Sequence, residues 1–300
     1  MTANATVRAL MTGAIDYAGL FPPAALPMVQ AVRNYAAYRG GADAWMLGRF
    51  VVPVARLEEL AAEFAALSGP DDAAAPVTDA PWRLSVIARA GDAATLAAFN
   101  ARYGARLRID TIEAPPVTAA EVAALASLSP TYVMFAEVDV NADPRPVLVE
   151  LKAHGLRAKM RTGGVKAEAI PSPERVARFI ATCRQLGVPY KATAGLHHAW
   201  RDEYALTYEP GSARATMFGF AGVMLADVAA AGGAAADEVE RILSAHGAGA
   251  FVIAAEGCAL PGGRGVPTAL VTAARESGLQ SFGSCSFEEP VAELKSGGLL

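Results

Sequence analysis

Short apolar runs alternate along the chain with longer stretches rich in Ala, Leu, Glu and Arg. The runs "AIDYAGL", "AWMLGRFVV", "WRLSVIA", "RLRIDTIE", "YVMFAEVDV", "LRAKMR", "VPYKATA" and "LQSFGSCS" have the length and composition of buried strands. Between most of them lie helical patterns such as "PVARLEELAAEFAAL", "DAATLAAFNARYG", "TAAEVAALASL" and "DPRPVLVELKAHG". The clearest helix is "SPERVARFIATCRQLG", with Ser172 as N-cap, Pro173 in the first turn and Gly187 at the end. Strand–helix alternation predicts βαβ units and a parallel sheet. Eight such strands in about 250 to 300 residues predict a closed (β/α)8 barrel, the TIM barrel. An open doubly wound sheet is the rival, but no Gly-x-Gly-x-x-Gly follows the first strand.

Two segments break the rhythm. "SGPDDAAAPVTDAP", Ser68 to Pro81, reads as a polar surface connector. The stretch from His198 to about Ser277 is far longer than one crossover helix needs. It carries two or three helical patterns ("ATMFGFAGVMLADVAAA", "ADEVERILSAHG", "VPTALVTAARESG"), and its "GAFVIAAEG" is ambiguous and could itself be a strand. We read 1–300 as one barrel domain, with 198–277 as a helical insertion between strands 7 and 8 that covers one side or the mouth.

With 300 residues, 53% of them hydrophobic, the chain can bury a large core. A net charge of −4 with scattered basic residues gives no reason to expect a nucleic-acid partner. Cys183, Cys258 and Cys285 fit neither a zinc pattern nor a disulfide framework, so a reducing cytoplasm is the expected location. The N-terminus lacks a signal-peptide core, and no run reaches the ~18 apolar residues of a membrane span. No cofactor motif stands out, and assembly into a homo-oligomer stays open.

Polarity gathers at the C-terminal ends of the expected strands, where barrels of this kind carry their chemistry. Asp16 stands on the first, Arg49 on the second, and Asp110 on the fourth with Glu113 just beyond. Glu137 lies on the fifth, Lys159 and Arg161 on the sixth, Lys191 on the seventh with His197 and His198 following, and Ser284 on the eighth. Lys159 and Lys191 hold matching places before glycine turns on strands expected to be neighbours, about 4.8 Å apart. Two ammonium groups crowded in a poorly solvated wall each disfavour the other's charge. A neutral amine is what attacks a carbonyl to form a Schiff base. Asp110 or Glu137 could relay protons. The plainer reading makes each lysine a structural ion pair with one of those carboxylates.

At these motifs the sequence resembles the deoxyribose-phosphate aldolase group of class I, Schiff-base aldolases. That family's sixth strand carries Lys-x-x-Thr-Gly, matched by Lys159, Thr162 and Gly163. Its seventh carries Lys-Ala-x-x-Gly-Ile, matched by Lys191, Ala192 and Gly195 with Leu196. The Ile109–Asp110 pair matches its fourth strand, "IDYAGLFPPA" loosely its first, and "FGSCS" loosely its last. The resemblance implies a carbon–carbon lyase in which Lys159 forms the imine, Lys191 perturbs it and Asp110 shuttles a proton. Arg161 stands where the family has a small hydroxyl residue, and the double histidine replaces an arginine-type position, so the substrate is expected to differ.

The expected partner is a small carbonyl compound, with Asp16, Arg49, Glu137, Arg161, His197, His198 and Ser284 as substrate-binding candidates. Phosphate is not expected on it. Phe287 replaces a glycine that would let a ligand approach, and Glu288 and Glu289 sit where a phosphate would meet the positive end of the final helix. Two other readings stay open: a metal-assisted lyase, isomerase or hydrolase using His197 or His198 with Asp16 and Glu137, and a non-catalytic barrel that holds an anion among Arg49, Lys159, Arg161 and Lys191. Neighbouring side chains diverge on an extended chain, so both histidines binding one ion is disfavoured, and we assign no metal site.

Overall fold

The computed structural model describes residues 3–67 and 80–300. Most of the connector expected at Ser68–Pro81 lies outside the described residues. Eight parallel strands close into a barrel: β1 (Ile15–Tyr17), β2 (Leu47–Pro53), β3 (Trp82–Ile87), β4 (Leu107–Pro116), β5 (Val133–Glu137), β6 (Arg157–Arg161), β7 (Tyr190–Thr193) and an eighth strand near the C-terminus. Neighbours in sequence are neighbours in space, and the eighth strand pairs with both β7 and β1 to close the ring. The fold is the expected (β/α)8 barrel. Buried side chains such as Ile15, Phe50, Leu84, Ile112, Met160 and Phe282 build the core from its strands. Each fully buried side chain of this size stabilises by about 1.5–3 kcal/mol. The helix Pro173–Leu186 starts on the Ser172 hydroxyl, which accepts from the Arg175 N–H, and stops at Gly187, φ +65°.

The connection from β7 to the eighth strand is not purely helical, as the sequence reading expected. An antiparallel hairpin comes first, β8 (Asp202–Ala205) and β9 (Arg214–Met217). A buried helix, Phe220–Ala231, and an amphipathic one, Ala236–Ser244, follow. Then come a three-stranded meander, β10 (Val252–Ala254), β11 (Gly257–Ala259) and β12 (Gly265–Pro267), the helix Thr268–Ser277 and the closing barrel strand β13 (Leu279–Ser284). The helical pattern that seemed to start at Ala215 is interrupted because Ala215–Met217 are strand and Gly219 caps the helix behind them.

This connection is divided between the two ends of the barrel. The hairpin lies over the C-terminal mouth, where Leu206 and Met217 line a cavity. The meander joins the helix Ala5–Met11 at the opposite end: the Thr6 hydroxyl donates to the Ala255 carbonyl at 3.2 Å and meets the Thr268 hydroxyl. Asp227, on the buried helix, ties this layer to the barrel. It accepts from Tyr190 Oη at 2.7 Å, from the Leu279 N–H at 3.0 Å and from the Arg184 guanidinium. No helix among the described residues is long and apolar enough to cross a membrane.

Candidate active site

Register sets the site. Glu137 is level with Lys159, and Lys159 with Lys191, across the β5–β6–β7 ladder. The two lysines therefore stand side by side at the mouth, as their matching motifs predict. The glycine turns behind them serve packing. A Cβ on Gly163 would lie 3.2 Å from the Cα of Gly195, tighter than an ordinary contact, so the close approach of the β6 and β7 loops favours glycine at both places. Thr162 joins them further, its hydroxyl donating to the Ala194 carbonyl at 2.7 Å.

Lys191 is sealed. Its Nζ donates to Asp16 Oδ2 at 2.5 Å and Glu113 Oε1 at 2.7 Å, and it lies 5.7 Å from the centre of the Phe135 ring. Burial works against its charge, but Asp16 and Glu113 outweigh that and raise its pKa. The sequence expectation of two lysines driving each other neutral is thus corrected for Lys191, because carboxylates stand within hydrogen-bond reach of it. Ser281 also donates to Asp16, at 2.7 Å, and Ser85 to Glu113, at 2.7 Å. Asp16 also receives the Arg49 N–H, and that approach needs a glycine at 48: a Cβ there would sit 2.3 Å from Asp16 Oδ1.

Lys159 has a different setting. Its Nζ lies 3.1 Å from Glu137 Oε2 and 3.4 Å from Glu113 Oε2, and its side chain lines a cavity of about 220 Å³ at the barrel mouth. Glu113 bridges the two lysines, one oxygen to each. Burial raises its pKa, but Lys191 and then Lys159 overcome this and hold it near about 2. Arg161, half exposed, lines the same cavity with one guanidinium nitrogen 4.0 Å from Glu137. Phe21, Val51, Ile87 and Met217 supply apolar walls. The volume lies below the usual ~300–1,000 Å³ of ligand pockets, which fits a substrate of few atoms.

The structure does not bring every expected residue to this cavity. Asp110 lies three residues before Glu113, roughly 10 Å toward the barrel base. Its oxygens are held by Arg49 Nε and Arg83 Nε, each at 2.6 Å. It does not reach the lysines, and the carboxylate that does is Glu113. Arg49 is likewise committed to Asp110 and leaves the set of cavity-lining residues. Asp16 is buried behind Lys191, and Ser284 behind His197. The two histidines diverge. His197 lines the cavity, whereas His198 pairs through Nδ1 with Glu293 and stacks on Tyr204, ring centres 3.5 Å apart. Among the described residues no group of three His, Cys, Asp or Glu side chains is placed to hold a metal ion. At the last helix, Phe287 is buried against Tyr38, and Glu289 accepts from Tyr208 Oη at 2.9 Å.

Sequence reasoning left Ser85, Ser281 and Tyr208 out and gave Glu113 no role. Glu113 carried a signal, a second acidic residue on the fourth strand, set between the apolar Ile112 and Ala114. The serines and Tyr208 carried none. Comparison with protein-family models, curated proteins and solved structures yields no match to this chain.

Proposed function

We propose that this chain is a Schiff-base lyase of the class I aldolase type, acting on a small, unphosphorylated carbonyl compound. The observation that carries the reading is Lys159: a buried primary amine on the wall of a cavity at the barrel mouth, within 3.5 Å of two carboxylates and backed by a second lysine that keeps one of them ionised. In the proposed sequence, Glu137 takes a proton from the Lys159 ammonium. The free amine adds to the substrate carbonyl, and loss of water leaves a protonated imine. For a 3-hydroxy carbonyl substrate, a carboxylate then removes the hydroxyl proton. The bond between the second and third carbons breaks, its electron pair flows to the iminium as an enamine, and an aldehyde departs. Return of the proton to the enamine carbon and hydrolysis by water release the second carbonyl product and the amine. Glu113 steadies the cation through both stages, and Arg161 faces any anionic group on the substrate.

The lack of phosphate on the substrate is read from the last helix, where Glu288 and Glu289 occupy the first turn. Their charge disfavours a dianion there. The test is to incubate the protein with a panel of small aldehydes, ketones and 2-oxo acids, reduce with borohydride and map the mass increase by peptide. An adduct on Lys159 is the expected result. A folded protein that captures none of them, or captures them only elsewhere, refutes the reading.

A further inference from the structure

His197 has a hydrogen-bond environment that assigns its protons. The buried Ser284 hydroxyl receives the Ser286 N–H at 3.4 Å and lies 3.3 Å from His197 Nδ1. Nδ1 is the acceptor within reach of that hydroxyl's own proton among the described residues. Cys285 Sγ lies 3.4 Å from the same nitrogen and 3.6 Å from Tyr208 Oη, whose own proton goes to Glu289. Burial raises the Cys285 pKa, so its sulfur keeps a proton to donate. Nδ1 therefore faces the Ser284 hydroxyl as a donor and a thiol whose proton can go to it or to the Tyr208 oxygen. The opposite tautomer, with hydrogen on Nδ1, would leave the Ser284 proton buried with no acceptor, at a cost of about 1–3 kcal/mol. Burial, helped by His198, also lowers the His197 pKa to about 4, so the ring is neutral at pH 7.

The other nitrogen, Nε2, has no hydrogen-bond partner among the described residues and is not sealed within the protein. His197 lines the cavity that holds Lys159 and also borders an outer pocket beside His198, Tyr204 and Tyr208; the first is the space assigned to Nε2.

We propose that Ser284 and Cys285 hold His197 as the Nε2–H tautomer and that this hydrogen is donated to a substrate oxygen, making small 3-hydroxy carbonyl compounds the substrate class. The substrate assignment rests on the imine reading of Lys159; the tautomer does not. The oxygen concerned is the one on the carbon that separates in cleavage; it carries negative charge as its proton leaves for a carboxylate and until the bond breaks. A neutral N–H stabilises that charge and keeps its own proton; the proton taken by the carboxylate is the substrate hydroxyl's. Removal of one such donor in other enzymes costs on the order of 10²–10³-fold in turnover.

The experiment uses 15N-histidine-labelled protein, long-range 1H–15N spectra and two probes, 3-hydroxybutanal and butanal. In the free protein at pH 7, Nδ1 should resonate as an unprotonated ring nitrogen and Nε2 as a protonated one. Ser284→Ala should release a mixture of tautomers. 3-Hydroxybutanal should shift the Nε2 proton, and butanal should not. Cleavage of 3-hydroxybutanal to two molecules of acetaldehyde should fall about 100-fold in His197→Leu. Borohydride capture of butanal should survive, and His197→Gln, which keeps an N–H, should recover part of the loss. A protonated Nδ1, no shift with 3-hydroxybutanal, or cleavage indifferent to His197→Leu overturns the proposal. Failure of borohydride capture in the parent protein instead counts against the imine at Lys159, and the spectra still decide the tautomer.

Discussion

Two clusters of opposite charge lie inside the same barrel, one near its base and one at its mouth. At the base, Arg49 and Arg83 each take one oxygen of Asp110 at 2.6 Å, and none of the three lines the cavity. At the mouth, Asp16, Glu113 and Glu137 face Lys159 and Lys191, with Arg161 at the rim. Both pair basic side chains with carboxylates across strands of the barrel. The base closes on itself, which is how a structural ion cluster is satisfied. The mouth leaves Lys159, with looser contacts of 3.1 and 3.4 Å, beside open volume. Charge at strand ends does not by itself mark a site; a charged group with a cavity beside it does.

The same contrast divides the two lysines, and it can be broken most directly at Lys159. Lys159→Met should abolish borohydride capture and lower turnover on the order of 10⁴-fold or more, as loss of a nucleophile does. Stability should change less than on loss of Lys191, because the contacts of Lys159, at 3.1 and 3.4 Å, are longer and Glu137 keeps Arg161 nearby. An adduct that persists in this variant would place the imine elsewhere. Lys191→Met should do the reverse. It strands Asp16 and Glu113 without their shared cation, and removal of one partner of a buried pair typically costs about 3–5 kcal/mol. Denaturant unfolding of the two variants side by side would measure the difference. Equal destabilisation would mean that Lys191 is not the sealed partner.

Acidity should act first on the mouth. At the base, burial works to raise the Asp110 pKa but Arg49 and Arg83 lower it below an ordinary 3.8, so Asp110 adds its loss only below that value. His197 has its pKa lowered to about 4 by burial and His198, below the roughly 6.5 of a free histidine. The unfolded chain therefore binds that proton more readily. Stability is full above about pH 6.5 and is lost as pH falls toward 4. Glu113, held near about 2 against an ordinary 4.5, adds a second loss as pH falls from about 4.5 toward 2. Lys191 is raised, so its contribution is complete below its ordinary value near 10.4 and fades only above it. Unfolding free energies across pH 3–8 should show two acid steps, and His197→Gln should erase the upper one. A single step unchanged by that substitution would contradict this account.

The barrel was legible because helical patterns separate most of the eight apolar runs, and the β6–β7 pairing because Lys159 and Lys191 sit in matching places before their turns. Asp110 shows where legibility ended. Between Leu84 and Ser85 the β3–β4 register shifts, so Ile109 and Thr111 are level with successive residues of β3 and Asp110 is extra. Counting alternate residues fails across such a bulge, and nothing in "RLRIDTIE" announces it. The hairpin at the mouth was missed because Ala215–Met217 continues into a helical pattern without a break. Asp110→Asn tests the corrected assignment. It should cost about 1–3 kcal/mol of stability through the arginines it frees, with turnover unchanged. Glu113→Gln should impair turnover, and a variant pair behaving the other way round would restore Asp110 to the chemistry.

The smallest effect concerns Arg161, where the mouth meets solvent. Its side chain is 53% exposed, and its nearest carboxylate oxygen, on Glu137, is 4.0 Å away. An ion pair of that exposure and length contributes about 0–1 kcal/mol, so Arg161→Leu should leave the unfolding midpoint nearly unchanged. Its guanidinium nonetheless lines the cavity that Lys159 opens on, two residues further along the same strand. A carboxylate on a substrate held at Lys159 would meet it, whereas a neutral aldehyde would not. Arg161→Leu should therefore raise KM for 2-oxo acids by roughly tenfold, about 1.4 kcal/mol, without altering KM for uncharged aldehydes of the same length. The penalty should shrink as salt is added to the parent protein, since a rim charge is screened. Equal losses on charged and uncharged substrates would show that Arg161 shapes the cavity and does not read charge.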